Sequence, residues 1–210
     1  NRKNLVGHIV DSCVSSSCID SILIICNEKY VNKLKLQICK IYKENSKKIE
    51  IISGGDTRME STLIGLENIN LNIKDTIILL EASRPFVGTK DIDLIYSSFI
   101  KNNADCAFYY SSINESLFSF KKNSRIVNHN RSSFFLSQTP YVFNYESVKE
   151  IHFHLKNGNT SDNNDVISFL SESKSKLALL SEFKNIKITF QEDLLLAKIL
   201  VKRENEKSLH

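Results

Sequence analysis

The sequence lacks the features that mark several classes of protein. No apolar run reaches the roughly 18 residues of a membrane-spanning helix, and no signal-peptide pattern is present. There is no internal repeat and no low-complexity segment long enough to be a linker. The five cysteines are odd in number and include no C-x-x-C pair, which favours reduced thiols over a metal site. We therefore expect one cytoplasmic domain.

Basic charge is not concentrated either. The net charge is only +4, and the paired basic residues are scattered as Lys47-Lys48, Lys121-Lys122 and Lys202-Arg203. This distribution argues against a nucleic-acid-binding stripe, and a phosphate-bearing small molecule would account for the mild excess as well. With 210 residues, 41% of them apolar, the chain has enough material for a sizeable core.

Apolar periodicity predicts alternating helices and strands. Leu5 to Val10 shows helical spacing, Ile22 to Cys26 reads as a short strand, and Ile49 to Ile52 reads as another strand after a second amphipathic helix. Alternation of this kind predicts an α/β fold, with a mostly parallel sheet covered by helices on both faces. Towards the other end, Ile186 to Ile188 is predicted to be a last strand.

We expect the stretch from Thr76 to Val87 to be central to the fold. Ile77 to Leu80 predicts a strand buried on both faces, and Glu81 and Arg84 follow directly, with Pro85 stopping the strand. Charged groups at the carboxyl end of a parallel strand lie where open α/β sheets bind ligands. A surface ion pair at a strand end explains the same pattern equally well.

A paired glycine follows the second strand. Gly54 and Gly55 precede Thr57 and Glu60, whose spacing predicts a capping box and a helix starting near Arg58. Such a turn lets backbone N–H groups approach an anion or a nucleotide closely, although a plain tight turn has the same composition.

Residues 112–137 interrupt the α/β rhythm. They read as a hairpin arm with several phenylalanines and little core of their own. Such a segment packs either on a partner subunit or back on its own domain.

Five segments in this order resemble the 2-C-methyl-D-erythritol 4-phosphate cytidylyltransferase family, together with the related ribitol-5-phosphate cytidylyltransferases. The resemblance covers nearly the whole chain, and the segments that carry it are Gly54-Gly-Asp-Thr-Arg-Met-Glu-Ser61, Glu81-Ala-Ser-Arg-Pro-Phe-Val87, Asn130-Arg-Ser132, Gln138-Thr-Pro140, and Asn185-Ile-Lys-Ile-Thr189 with Glu192-Asp-Leu194.

The resemblance implies a Rossmann-like nucleotidyltransferase fold in a single domain, residues 1–210, with 112–137 as the arm of a homodimer. It implies Mg²⁺-dependent attack of a sugar-alcohol phosphate on the α-phosphate of CTP, with release of pyrophosphate. Such chemistry needs aligned phosphates and neutralised charge rather than covalent help from the protein.

Carried over by motif, the resemblance assigns roles to individual residues. It implies that Lys187 and Arg84 are catalytic, with Arg84 also holding the substrate. Glu81 would serve the metal and the nucleotide. The remaining assignments are Gly54, Gly55, Asp56, Ser61 and Ala82 for the nucleotide, and Ser116, Arg131 and Thr139 for the polyol phosphate, with Arg131 reaching the neighbouring subunit's site.

The sequence departs from the family pattern in four places. Glu81 stands where the family has Asp, Leu80 where it has His, and Tyr141 where it has Gln. The family's first strand and glycine-rich loop are absent from this numbering, and we expect an omitted segment rather than an inactive relative. The resemblance favours methylerythritol phosphate as the expected substrate, with ribitol phosphate as the alternative. An inactive homologue and a nucleotide-sugar-binding module remain open.

Overall fold

The computed structural model describes residues 4–42, 48–121, 125–160, 165–182 and 185–207. Helices and strands alternate over the first half of these ranges, and a hairpin follows. The elements are α1 (Leu5–Ser15), β1 (Ser21–Cys26), α2 (Glu28–Ile41), β2 (Lys48–Ser53), α3 (Arg58–Glu67), β3 (Thr76–Leu79), α4 (Thr89–Lys101), β4 (Cys106–Ser112), β5 (Leu117–Phe120), β6 (Ile126–His129), β7 (Phe135–Asn144), α5 (Tyr145–Lys156), β8 (Lys176–Leu180) and α6 (Gln191–Lys207).

The strands form three groups. The largest is a four-stranded sheet in the order β3-β7-β4-β8, in which β7 runs antiparallel to both neighbours and β4 pairs in parallel with β8. The strands β1 and β2 form a parallel pair, and β5 and β6 form an antiparallel hairpin. The sheet is therefore mixed at β7, and β3 lies at its edge.

Helices cover both faces of the four-stranded sheet, as the sequence predicts. Alternate residues of β4 point to opposite faces, because side chains of a strand alternate. Cys106 and Phe108 join one buried cluster with residues of α3 and α5, whereas Ala107 and Tyr109 join another with residues of α4. The α/β class with helices on two sides is confirmed.

Helix α1 connects the two sheets. Its Val10 packs with α2 and the β1–β2 pair, and its Ile9 and Cys13 pack with Ile92 of α4 and the end of β3. The charged stretch after β3 is thereby attached, through Leu80 and Val87, to apolar residues of α1 and α4. None of the helices in the described ranges has both the length and the apolar composition needed to cross a membrane.

The strand predicted at Ile77 to Leu80 forms as β3, and the hairpin predicted near residue 120 forms as β5 and β6. The residues Ile77 to Leu80 are only half-buried, because β3 lies at the edge of its sheet. The strand predicted at Ile186 to Ile188 is wrong: these residues belong to no strand. The capping box of Thr57 and Glu60 is confirmed.

A carboxylate joins the ends of β4, β7 and β8. Asp105 accepts hydrogen bonds from Ser175 N at 2.9 Å and Asn144 Nδ2 at 2.8 Å, and Lys174 Nζ lies 3.5 Å away. Burial alone would raise the pKa of Asp105, but these hydrogen bonds and the lysine outweigh it and hold the pKa below its ordinary value.

We expect Asp105→Asn to lower the free energy of unfolding by about 1–2 kcal/mol at pH 7. A depressed folded-state pKa stabilises the fold above the unfolded-state value, near about 3.9, and this stabilisation is lost as the pH falls through the folded-state pKa. The difference between the two proteins should therefore shrink between about pH 5 and pH 3. Urea unfolding of the two proteins at pH 7 and at pH 3 measures this difference. The same difference at both pH values would contradict the role of this charge.

Candidate functional site

Three charged side chains meet beyond the end of β3. Glu81 Oε1 lies 3.2 Å from Lys187 Nζ, and Glu81 Oε2 lies 3.4 Å from Arg84 Nε. The side chains of Glu81 and Arg84 are 17% and 11% exposed, whereas that of Lys187 is 44% exposed. The ion pairs are thus largely shielded from water on one side and open on the Lys187 side.

Lys187 lies 106 positions after Glu81 in the sequence, and two backbone hydrogen bonds bring the two segments together. A backbone hydrogen bond from Arg84 N to Glu81 O closes a tight turn after β3. Ile188 N donates to Ser83 O at 2.7 Å, which places the segment carrying Lys187 beside that turn. The predicted grouping of Glu81, Arg84 and Lys187 is therefore what the structure contains.

Asn185 completes the attachment of this segment. Arg84 Nη1 donates to Asn185 O at 2.7 Å, and Asn185 Nδ2 donates to Thr139 O at 2.8 Å on β7. Thr139 is 2% exposed and lies within this connected group. Asn185 belongs to the motif quoted from the sequence but received no role there. Its position two residues before Lys187 is the signal that could have identified it.

The glycine turn between β2 and α3 is held by side chains of α3. Gly55 N donates to Ser61 Oγ at 3.2 Å, and Asp56 N donates to Glu60 Oε2 at 2.8 Å. A Cβ atom at Gly54 would lie 2.5 Å from Ser61 Oγ, so glycine is required by the close approach of α3. The hydroxyl of Ser61, predicted to contact a nucleotide, is engaged in holding the turn.

The two predicted arm residues are placed apart from the charged group. Ser116 and Arg131 are both exposed, and Arg131 Nη1 donates to the carbonyl of Asn114. Among the described contacts within one chain, neither residue touches Glu81 or Lys187. The structure therefore brings together only part of the predicted site in a single subunit.

Tyr141 of β7 pairs with Leu79, the last residue of β3, and therefore lies close to where the stretch carrying Glu81 and Arg84 begins. Its hydroxyl donates to Asp165 Oδ2 at 2.9 Å and contacts Ser137 Oγ at 3.1 Å. Burial raises the pKa of Tyr141 far above its ordinary value, and the charge of Asp165 adds to the effect. The phenol is therefore a hydrogen-bond donor to Asp165 over the whole pH range in which the fold is expected to be stable.

The arrangement suits phosphate chemistry. Two cationic side chains surround one carboxylate, so the group carries more positive than negative charge at the open side of Lys187. Within the described ranges, no three His, Cys, Asp or Glu residues are grouped so as to hold a metal ion by themselves. A magnesium ion in a nucleotide site needs only one or two carboxylates, because substrate phosphates supply other ligands. Glu81 therefore fits as the protein's ligand to such an ion.

Comparison with known proteins places this geometry in a family context. The family model of 2-C-methyl-D-erythritol 4-phosphate cytidylyltransferase (IspD) matches residues 1–203. The enzyme of that name from Thermosipho africanus is 30% identical over 204 residues, covering 92% of this chain and 84% of the relative. The one from Clostridium botulinum (strain Langeland) is 30% identical over 212 residues, with 96% and 86% covered.

Solved structures give the same fold. The 4-diphosphocytidyl-2C-methyl-D-erythritol synthase of Anaerococcus prevotii superposes with a TM-score of 0.78 at 18% identity, covering 95% of this chain and 86% of that one. The 2-C-methyl-D-erythritol 4-phosphate cytidylyltransferase of Francisella tularensis gives a TM-score of 0.74 at 22% identity, with 94% and 88% covered. These likenesses support a nucleotidyltransferase fold.

Proposed function

The chain belongs to the 2-C-methyl-D-erythritol 4-phosphate cytidylyltransferase family, and from this premise we propose that Glu81, Arg84 and Lys187 form the centre of its active site. The protein is a nucleotidyltransferase that joins CTP and 2-C-methyl-D-erythritol 4-phosphate, giving the CDP-alcohol and pyrophosphate for isoprenoid precursor synthesis. The observation that carries the site assignment is the ion-paired group of these three side chains on the family's own motifs. The comparisons do not favour ribitol phosphate, an inactive homologue or a nucleotide-sugar-binding module.

The reaction needs charge stabilisation more than covalent help. An oxygen of the substrate phosphate attacks the α-phosphorus of CTP, a new P–O bond forms, and the bond to the bridging oxygen of pyrophosphate breaks. Negative charge accumulates on the oxygens of the α-phosphate during this exchange. Lys187 and Arg84, fixed by Glu81 and by the carbonyl of Asn185, would face that charge without reorganising at the moment of reaction.

The metal would be bound jointly by protein and substrate. We propose that Glu81 holds a divalent cation, Mg²⁺, together with the phosphates of CTP. When bound, the ion would neutralise phosphate charge and orient the pyrophosphate leaving group. Each carboxylate oxygen of Glu81 makes one of the two ion pairs. A carboxylate has about four lone-pair sites, so Glu81 would bind the ion through a remaining one while keeping Lys187 and Arg84 in place.

The nucleotide would lie along the backbone of two turns. The turn of Gly54, Gly55 and Asp56 presents main chain without bulky side chains, and α3 begins immediately after it. Ala82 is exposed at the turn after β3 and offers main-chain groups in the same way. We assign these residues to the base and ribose of CTP, with Ser61 keeping the glycine turn in shape.

The substrate side would be completed by a second copy of the chain. The arm, residues 112–137, exposes large apolar side chains within one nucleotidyltransferase domain, including Phe120 at 81% and Ile126 at 65%. Such an apolar surface is costly in water and marks an interface. We propose a homodimer in which Ser116 and Arg131 of one arm join Thr139 and Arg84 of the partner's site.

A pyrophosphate-release assay tests the function. The full-length protein should release pyrophosphate from CTP only when both Mg²⁺ and a polyol phosphate are present. We expect methylerythritol phosphate to be used with a kcat/KM at least about tenfold above that of ribitol 5-phosphate. ATP in place of CTP serves as the control for the nucleotide. Equal or greater use of ribitol phosphate would overturn the substrate, and release from neither would overturn the activity.

A further inference from the structure

The main-chain carbonyl and the side-chain amide of Asn185 bind two different parts of the fold. Its carbonyl accepts from Arg84 Nη1 at 2.7 Å, while its Nδ2 donates to Thr139 O at 2.8 Å. One residue therefore connects the loop after β3 to the strand β7. Lys187 follows two positions later, and Ile188 N closes the connection by donating to Ser83 O.

These three hydrogen bonds hold residues 185–189, which pair with no β-strand of the described ranges. Residues 185–189 lie outside any strand or helix, so regular secondary structure does not determine where Lys187 points. The position of Lys187 Nζ relative to Glu81 depends instead on the contacts made on both sides of it in sequence. Of the side chains from 185 to 188, the one of Asn185 is both polar and buried, at 5% exposure.

The side-chain amide of buried Asn185 makes only part of its possible hydrogen bonds among the described residues. Its Oδ1 has no hydrogen-bond partner among the described residues, and the same is true of Thr139 Oγ1 beside it. A buried acceptor without a partner costs free energy, so an apolar side chain would fill this space more favourably. A polar residue here is therefore better explained by directional attachment than by packing.

We propose that Asn185 is a positioning residue of the transferase reaction, which acts by holding the Lys187 segment against β7 and presenting its carbonyl to Arg84. This inference rests on the proposed function of Lys187 and Arg84. Asn185 touches neither substrate; its side-chain hydrogen bond determines where the two cationic groups stand. Loss of that hydrogen bond lets the segment shift, and a displacement of about 1 Å is enough to lower turnover about 100-fold.

The test is a double-mutant cycle on kcat for pyrophosphate release. We expect Asn185→Ala to lower kcat about 30-fold when Lys187 is present, with KM for CTP changed less than about threefold. In the Lys187→Ala background the same substitution should lower kcat no more than about fivefold, because Arg84 is then the one remaining cationic group that Asn185 positions. Equal factors in the two backgrounds would overturn the inference, since a purely structural defect acts independently of Lys187.

Asn144→Ala is the matched control. Asn144 also donates through Nδ2, to Asp105 at 2.8 Å, and accepts from Ser147 N, but it is the last residue of β7 and pairs with the first residue of β3, away from the charged group. It should destabilise the protein to a similar degree and leave kcat within about twofold in both backgrounds. Should Asn185→Ala fail to fold, Asn185→Asp keeps the size and removes the donor, and the same cycle applies.

The outcomes separate the inference from the proposed function. If the unsubstituted protein releases no pyrophosphate, the proposed function is wrong and Asn185 has no reaction to serve. If the unsubstituted protein is active and Asn185→Ala keeps its kcat, the positioning role alone is wrong. Coupling to Lys187 without an effect of Asn144→Ala supports the role as stated.

Discussion

Replacing Lys187 with alanine should lower kcat about 100- to 1,000-fold, the loss typical of removing a preorganised group that faces transition-state charge. Lys187 Nζ is held 3.2 Å from Glu81 and is 44% exposed, so its removal takes away an ion pair at the open side of the site. The fold should change little, because the side chain is not part of the core. Pyrophosphate release at saturating CTP and methylerythritol phosphate measures the effect.

Lys149→Ala is the control for this substitution. Lys149 Nζ forms an ion pair with Glu146 at 2.8 Å on the surface of α5, so the same chemical change is made away from the site. We expect its kcat to remain within about twofold of the original value. The elution volume in size-exclusion chromatography should be the same for both variants and for the original protein. Near-normal turnover of Lys187→Ala would remove this lysine from the catalytic set.

Arg131→Ala should lower kcat/KM for methylerythritol phosphate about 100-fold while changing KM for CTP little, since a charged contact to the polyol phosphate is lost. Arg131 is exposed on the arm and bonds the carbonyl of Asn114, so it is positioned by the arm itself. If the arm reaches the partner subunit, the site combines Arg131 of one copy with Lys187 of the other.

Mixed dimers distinguish a shared site from one built within a single chain. When Arg131→Ala and Lys187→Ala subunits are mixed equally and reassort, about half of the dimers are mixed, and each holds one intact site of two. Activity should then recover to about a quarter of the unsubstituted value. Dimers of each variant alone provide the baseline. Mixtures that stay at this baseline would show that Arg131 does not complete the neighbouring site.

Much of the fold followed from local pattern. The apolar run before Glu81 predicted β3, the spacing of Thr57 and Glu60 predicted the start of α3, and the break in rhythm near residue 112 predicted the hairpin. These features depend on residues close in sequence, which periodicity and capping chemistry describe well. The α/β class was predictable for the same reason.

The direction of β7 and the state of residues 186–188 were not predictable in this way. The antiparallel pairing of β7 depends on how the chain returns from the arm, which no local pattern encodes. Ile186 and Ile188 alternate with Lys187 as in a strand, but no neighbouring strand in the described part of the chain pairs with them. The segment is held instead by Ile188 N, which donates to Ser83 O in the turn after β3, and by the side chain of Asn185, which donates to Thr139 O.

Some residues of the candidate site could be predicted from the sequence and others could not. Glu81, Arg84 and Lys187 could be identified by motif, and the structure brings them together. Asn185 could not be given a role, because its contacts join it to Thr139, 46 positions earlier, and to Arg84, 101 positions earlier. Only a tertiary structure reveals hydrogen bonds over such separations.

The close approach of Gly54 and Ser61 has a consequence for how this sequence can evolve. A side chain at Gly54 would meet Ser61 Oγ at 2.5 Å and Ile25 Cγ2 at 3.0 Å, so a change at Gly54 alone meets two neighbours at once. Ser61→Gly would remove the hydroxyl that Gly55 N uses, leaving the turn unsupported. Changing both positions together does not help, because Ile25 would still obstruct a side chain at Gly54 and Gly55 N would still lose its acceptor. We therefore expect descendants of this sequence that keep the turn to retain both the glycine and the serine.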